Sequence, residues 1–162
     1  MPHDKIVHDL MIPLNKCPAV LPNDTVQRAI TLLKKAAASG HQCVLVVDED
    51  GQPIGILSRR VLLQILEPKF VVTDRWALPV FWSGFFTDKC KAEAQKKVKE
   101  IMRPINLQTV EADDPIIKAV HMMVNNHVGL LPVLKEGKVA GVLRLHEIFQ
   151  EIAGLVTDLY EK

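Results

Sequence analysis

Apolar residues recur along this chain in two rhythms, and the rhythms come in the same order twice. In the first half, Val26, Ala29, Ile30 and Leu33 fall at i, i+3, i+4 and i+7, the spacing that gathers one helical face. Asn23-Asp24-Thr25 supplies capping oxygens ahead of that helix, and Gly40 can take the left-handed conformation that ends it. Cys43–Val47 is a continuous apolar run of β-formers, which predicts a strand buried on both faces. Asp48-Glu49-Asp50-Gly51 predicts a hairpin turn and Pro53–Leu57 the return strand. Ser58 then opens a second helix carrying Val61, Leu62, Ile65 and Leu66. With a brief proline-bounded edge strand at Pro18–Pro22, the unit reads strand, helix, strand, strand, helix.

The second half repeats it element by element. Thr109-Val110 stands for Ala19-Val20, and Asp114-Pro115-Ile116 for Asp24-Thr25-Val26. Ile116, Ala119, Val120 and Met123 reproduce the stripe at the same spacing. Leu131–Leu134 answers Val44–Val47, the turn shortens to Lys135-Glu136-Gly137, and Val139–Leu143 answers the return strand. A longer closing helix carries Ile148, Phe149, Ile152, Leu155, Val156 and Leu159. Each copy is introduced by the same phrase, Val7-His8-Asp9-Leu10-Met11-Ile12-Pro13 in one and Val98-Lys99-Glu100-Ile101-Met102-Arg103-Pro104 in the other. The chain is a two-fold internal repeat.

Between the copies, residues 67–97 break the pattern. Six of the eight aromatic residues sit there: Phe70, Trp76, Phe81, Trp82, Phe85 and Phe86. So apolar a segment needs a cover. It is expected to pack over the edge of the fold or between subunits, with a ligand-stacking lid as the alternative. Asp88–Lys97, rich in Lys, Ala and Glu, predicts an exposed helix leading into the second copy.

Composition narrows the function without choosing one. The chain has 162 residues, 48% apolar and 24% charged, the make-up of a globular protein. Twenty basic against nineteen acidic residues leave a net charge of +1, so no bulk field recruits nucleic acid or an anionic membrane. No apolar run approaches the ~18 residues of a membrane span, and the start, Met-Pro-His-Asp-Lys, is no secretory signal. Cys17, Cys43 and Cys90 are odd in number and scattered, which argues for a reducing compartment and a cytoplasmic protein. The six histidines lack metal-ligand spacing, and there is neither a nucleophile–base constellation nor a Gly-rich phosphate loop. An enzyme is not expected.

The Met-x-Pro phrase, Asp24 before a helix, Val46–Gly51 and Gly55-Ile56-Leu57-Ser58 together resemble the cystathionine β-synthase (CBS) domain. The second copy, with Leu131-Pro132-Val133 and Gly141-Val142-Leu143, resembles another, so the pair is similar to a Bateman module. The resemblance implies an α/β (α+β) fold of two pseudo-symmetric β-α-β-β-α repeats, 1–66 and 98–162, their sheets packed face to face around two clefts. It also implies a homodimer, a regulatory ligand such as AMP, ADP, ATP or S-adenosylmethionine, and an output through an unidentified protein partner. The alternative is a structural dimerisation module with degenerate ligand sites.

In that family a Ser or Thr after the return strand, with Asp three residues on, holds phosphate and ribose. Here the first copy reads Ser58-Arg59-Arg60-Val61, with valine at the acid position. The second reads Arg144-Leu145-His146-Glu147, with arginine for the hydroxyl and a longer acid. The second copy is expected to be the better site, Arg144 and His146 meeting phosphate and Glu147 reaching ribose. The first offers Arg59 and Arg60 to an anion. The family's other contacts fall on Ile12, Pro18, His41 and Gln42 in copy one, and on Arg103, Gln108, Val128 and Gly129 in copy two. Plainer roles exist for several of these: Ser58 is a good N-cap, Glu147 suits a helix dipole, and the arginines suit solvated helix ends.

Overall fold

The computed structural model describes residues 4–66, 84–105 and 108–160; the aromatic run from Phe70 to Trp82 lies outside them. The chain divides into two compact units, Pro18–Pro104, and Met1–Cys17 with Ile105–Lys162. These units differ from the sequence repeats, 1–66 and 98–162, because each leading phrase folds with the other copy's elements.

The Pro18–Pro104 unit is built on a four-stranded sheet of order β2-β3-β4-β5: Ala19–Val20, Cys43–Val47, Pro53–Ser58 and Arg103–Pro104. β2 runs parallel to β3; the other pairings are antiparallel. Helix α2 (Val26–Ala36) buries Val26, Ala29 and Leu33, while Ile30, expected in the same stripe, is 43% exposed. Thr25 caps it, its hydroxyl accepting the Arg28 N–H at 3.2 Å. The chain leaves through a short 3-10 turn ended by Gly40 at φ +84°. Helix α3 (Arg59–Leu66) buries Val61 against Val20, Val44, Val46 and Leu57.

Helix α4 (Phe85–Ala94) begins earlier than the expected Asp88 and ends sooner. It is also anchored rather than wholly exposed. Glu93 is buried with its carboxylate between Lys89 Nζ at 3.0 Å and Lys96 Nζ at 2.9 Å. Burial pushes the Glu93 carboxyl up, but the hydrogen bonds and charges of Lys96 and Lys89 outweigh it and hold the group below its ordinary value.

The other unit repeats this plan. Its sheet has order β1-β8-β7-β6: Ile12–Pro13, Lys138–Arg144, Leu130–Lys135 and Val110–Glu111. Helix α5 (Ile116–Asn126) buries Ala119 and Met123, and helix α6 (Leu145–Tyr160) buries Ile148. The rest of the stripe expected along α6 is exposed: Phe149 66%, Ile152 49%, Leu155 55%, Val156 49% and Leu159 71%. Ile148 alone on α6 belongs to this unit's core cluster.

The leading phrases explain the division. Val98 is fully buried in the Pro18–Pro104 core with Val20, Ala29 and Val46, and Val7 is fully buried in the other with Val110, Ala119 and Val133. The fixing hydrogen bonds correspond one for one. Val98 N–H donates to the Asp24 carbonyl at 2.8 Å and Lys99 N–H to the Pro22 carbonyl at 3.0 Å. Val7 N–H donates to the Asp114 carbonyl at 3.0 Å and His8 N–H to the Ala112 carbonyl at 2.9 Å. The acid of each phrase turns its own helical turn: Glu100 accepts the Lys97 N–H at 2.7 Å and Asp9, in α1 (Val7–Leu10), accepts the Ile6 N–H at 2.9 Å. Asp24 and Asp114 likewise accept the Leu21 and Glu111 N–H groups. That hydrogen bond from Glu111, with help from Lys118, holds the Asp114 carboxyl below its ordinary value against a smaller opposing effect of burial.

The repeated Met and Pro complete each dock. Pro104 pairs opposite Gly55, and Pro13 opposite Gly141, placing proline at a sheet edge where a missing donor costs nothing. A Cβ on Gly55 would lie 2.5 Å from Met102 Sδ and 3.0 Å from the Arg103 carbonyl oxygen. On Gly141 it would run into the Ile12 carbonyl oxygen and come within 3.3 Å of Met11 Sδ. Glycine is required at both because another backbone passes there.

Gly141→Ala should therefore lower the unfolding free energy by about 1–3 kcal/mol, the range for forcing atoms into a packed site. Gly154→Ala, within α6 and facing open space, should raise it by up to about 1 kcal/mol through helix propensity. Urea denaturation of the two variants separates them, and equal effects would contradict the close approach at Gly141.

Candidate functional site

The sequence-predicted residues collect at one end of each sheet, where β4 or β8 finishes and a helix begins. In the Pro18–Pro104 unit, Ser58 closes β4 opposite Cys43. Its hydroxyl accepts the Val61 N–H at 3.2 Å, the capping role its position suggested. Gln42 stands beside it, its carbonyl accepting the Arg59 N–H at 3.2 Å. Pro18 enters from β2, its carbonyl accepting the Leu45 N–H at 2.9 Å. His41 is half-buried and Gln42 exposed.

Arg59 and Arg60 are exposed at the start of α3, and neither side chain has an ion-pair partner among the described residues. Arg103 joins this group rather than the second copy's. It lies on β5 opposite Ile56, and its Nη2 donates to Gln64 Oε1 on α3 at 2.5 Å. Arg59 and Arg60 thus stand at the first turn of α3, beside the helix amides that favour anions, while Arg103 reaches the same helix farther along at Gln64.

The corresponding end of the other unit holds Ile12, Gln108, Val128, Gly129, Arg144, His146 and Glu147. Ile12 arrives by the same exchange, on β1 opposite Val142. Gly129 matches Gln42: its carbonyl accepts the Leu145 N–H at 2.8 Å, and an added Cβ would meet open space. Gln108 and Val128 are half-buried and His146 is exposed. Arg144 ends β8 opposite Leu130 and is only 8% exposed. Its Nε and Nη2 both donate to the Glu147 carboxylate, the second at 2.5 Å. Nothing in the spacing Arg-x-x-Glu distinguishes this fork from two independent ligand contacts, so the pair is visible only in the fold.

Cys17 lies in the same unit, after the 3-10 turn Leu14–Lys16. Its Sγ donates to the Pro13 carbonyl at 3.4 Å, and burial pushes the thiol up to about 11, with the charge of Arg144 pulling weakly the other way. The three cysteines are free thiols. No group of three or more His, Cys, Asp or Glu side chains among the described residues is arranged to hold a metal, and no helix among them is long and apolar enough to cross a membrane.

Known proteins share this architecture. The crystal structure of CBSX2 in complex with AMP superposes with a TM-score of 0.65 at 18% identity, over 93% of this chain and 97% of that one. The CBS domain pair of protein MJ0100, in complex with 5′-methylthioadenosine and S-adenosyl-L-methionine, gives 0.64 at 19% identity, over 94% and 98%. An uncharacterized protein of Methanopyrus kandleri is 26% identical over 145 residues, 88% of this chain; the chain spans 63% of that relative's length. The CBS domain family model matches residues 7–68 and again residues 98–154. With both copies matched, and most of its length with them, this chain belongs to the CBS-domain family as a tandem pair.

Proposed function

We propose that this chain is a regulatory Bateman-type module that senses an adenosine nucleotide through the β4–α3 end of its Pro18–Pro104 unit. The observation that carries the reading is the exposed pair Arg59 and Arg60 in the first turn of α3 directly after Ser58, neither with an acidic partner among the described residues. Guanidinium forks match phosphate oxygens, and the first amides of α3 add donors of the same sense. The adenosine ligands carried by CBSX2 and the MJ0100 domain pair make an adenosine compound the class to test first. Among them the cationic end favours AMP, ADP or ATP over S-adenosylmethionine, which brings a sulfonium charge. Val61 offers no oxygen to ribose, so affinity here depends on phosphate. The response would pass to a partner protein in the cytoplasm, a setting consistent with three free thiols.

A structural role in self-association is the second reading, favoured by the outer face of α6. Leu145, Phe149, Ile152, Val156 and Leu159 alternate at spacings of four and three, the seam of a helix that packs on another helix. All five are exposed, and a contiguous apolar face of this kind marks an interaction surface. The acids of this helix nearest the core are already satisfied, Glu147 by Arg144 and Glu151 by Lys5 at 3.1 Å. Such a face complements another like itself, which supports a homodimer through α6.

Thermal-shift measurements with AMP, ADP, ATP and S-adenosylmethionine test the first reading. Ligand at 100 times its Kd adds about 2.7 kcal/mol, which for a protein of this size raises Tm by roughly 5–10 °C. The nucleotides should give that shift, and Arg59→Ala/Arg60→Ala should abolish it; a flat panel at millimolar ligand would refute the reading. For the second, light scattering should find a dimer that Ile152→Glu converts to a folded monomer. A monomeric parent chain, or a variant that stays dimeric, would remove α6 as the interface.

A further inference from the structure

The two sheet ends carry equivalent backbone and opposite chemistry. Ser58 and Arg144 occupy matching positions: each closes its strand, and the next residue donates its N–H to a carbonyl at the start of the neighbouring strand, Gln42 or Gly129. Three residues on stand Val61, buried in its unit's core, and Glu147, on the Arg144 fork. In the Pro18–Pro104 unit this leaves a hydroxyl capping a helix and exposed arginines around it. In the other unit it leaves one arginine, nine-tenths buried, whose Nε and Nη2 are both engaged by a single carboxylate.

We infer that Glu147 is an internal occupant of the second unit's anion site, holding the Arg144 fork that a ligand phosphate would otherwise use. A guanidinium edge presents two parallel N–H donors, and a carboxylate and a phosphate satisfy them with the same two-oxygen geometry. Glu147 is tethered one helical turn away, so it competes at an effective concentration in the millimolar range or above without any loss of translational freedom. An incoming phosphate must displace it and then share the space with the displaced negative charge. The turn Leu14–Lys16 and Cys17 lie on the same side, close enough that the Arg144 charge acts on the Cys17 thiol.

Glu147 therefore acts as a specificity-determining residue that turns anions away, reversing the expectation that it reaches a ribose. The chain takes one nucleotide where its two repeats suggest two. This inference rests on the proposed nucleotide reading for the identity of the probe, but it makes its own claim about the second unit.

Calorimetric titration of the full chain with AMP tests it through stoichiometry. The parent should bind one AMP per chain, and Glu147→Gln, which keeps shape and removes the charge, should bind two. The gained site should be at least tenfold tighter than any residual binding there in the parent. Arg144→Ala/Glu147→Gln should lose the gained site, while Arg60→Ala should lose the original one and keep the gained one.

A Glu147→Gln variant with unchanged or reduced stoichiometry would overturn the inference. A parent that binds no AMP beside a Glu147→Gln variant that binds one would refute the Arg59–Arg60 reading and support this one. If circular dichroism shows that Glu147→Gln fails to fold, Arg144→Ser/Glu147→Asp replaces the fork by a hydroxyl and a shorter acid. A second site in that variant supports the inference, and a single site overturns it.

Discussion

The structure depends on one contact made twice: a valine from the phrase that introduces each repeat is buried in the core of the opposite repeat. Val7 and Val98 are each fully buried, and each arrives with its own N–H donated to the carbonyl of the aspartate that precedes a core helix. Burying one such side chain is worth about 1.5–3 kcal/mol, and the strand that follows adds an edge to the sheet. Neither unit has its full sheet without the segment that introduces the other repeat: β1 completes one and β5 the other. A 60-residue repeat folding alone would bury a modest fraction of its surface. Exchange of leading segments commits both repeats to a single chain.

Much of this was legible beforehand, and what was legible followed from local patterning. The buried stripe Val26, Ala29, Leu33, the strand Cys43–Val47 and the caps at Thr25 and Ser58 all arise within a few residues of themselves. The repeat itself needed only self-comparison. The exchange was not legible, because strand pairing is non-local. Ile12 and Arg103 read naturally as neighbours of the residues that follow them, and only the pairings Ile12 with Val142 and Arg103 with Ile56 place them elsewhere. The glycines carried a hint: Gly55 and Gly141 stand in strands at matching positions, which in retrospect marks the approach of another backbone. The outer face of α6 misled for a related reason, since a helical stripe predicts a cover without saying which molecule supplies it.

At the candidate site the same limit applies on a smaller scale. Residue types announced a cation-rich end and an acid, but not their pairing. The exchange gathers Arg59, Arg60 and Arg103 into one unit, while Arg144 is spoken for by Glu147 in the other. Two repeats that share backbone hydrogen bonds, caps and glycine positions thus differ in the groups offered to an anion. The repeat sets the scaffold, and substitution at two matched positions sets which side chains each end presents.

Native-state hydrogen exchange on Val7→Ala and Val98→Ala measures the exchange of leading segments directly. Removing two methyl groups at a fully buried position costs about 2 kcal/mol, and the loss of protection should appear in the core that the side chain fills. Val7→Ala should speed exchange at Leu131, Val133 and Leu143 and leave Val44 and Val46 unchanged; Val98→Ala should do the reverse. Loss of protection at Val44 and Val46 in Val7→Ala, within its own repeat, would contradict the account.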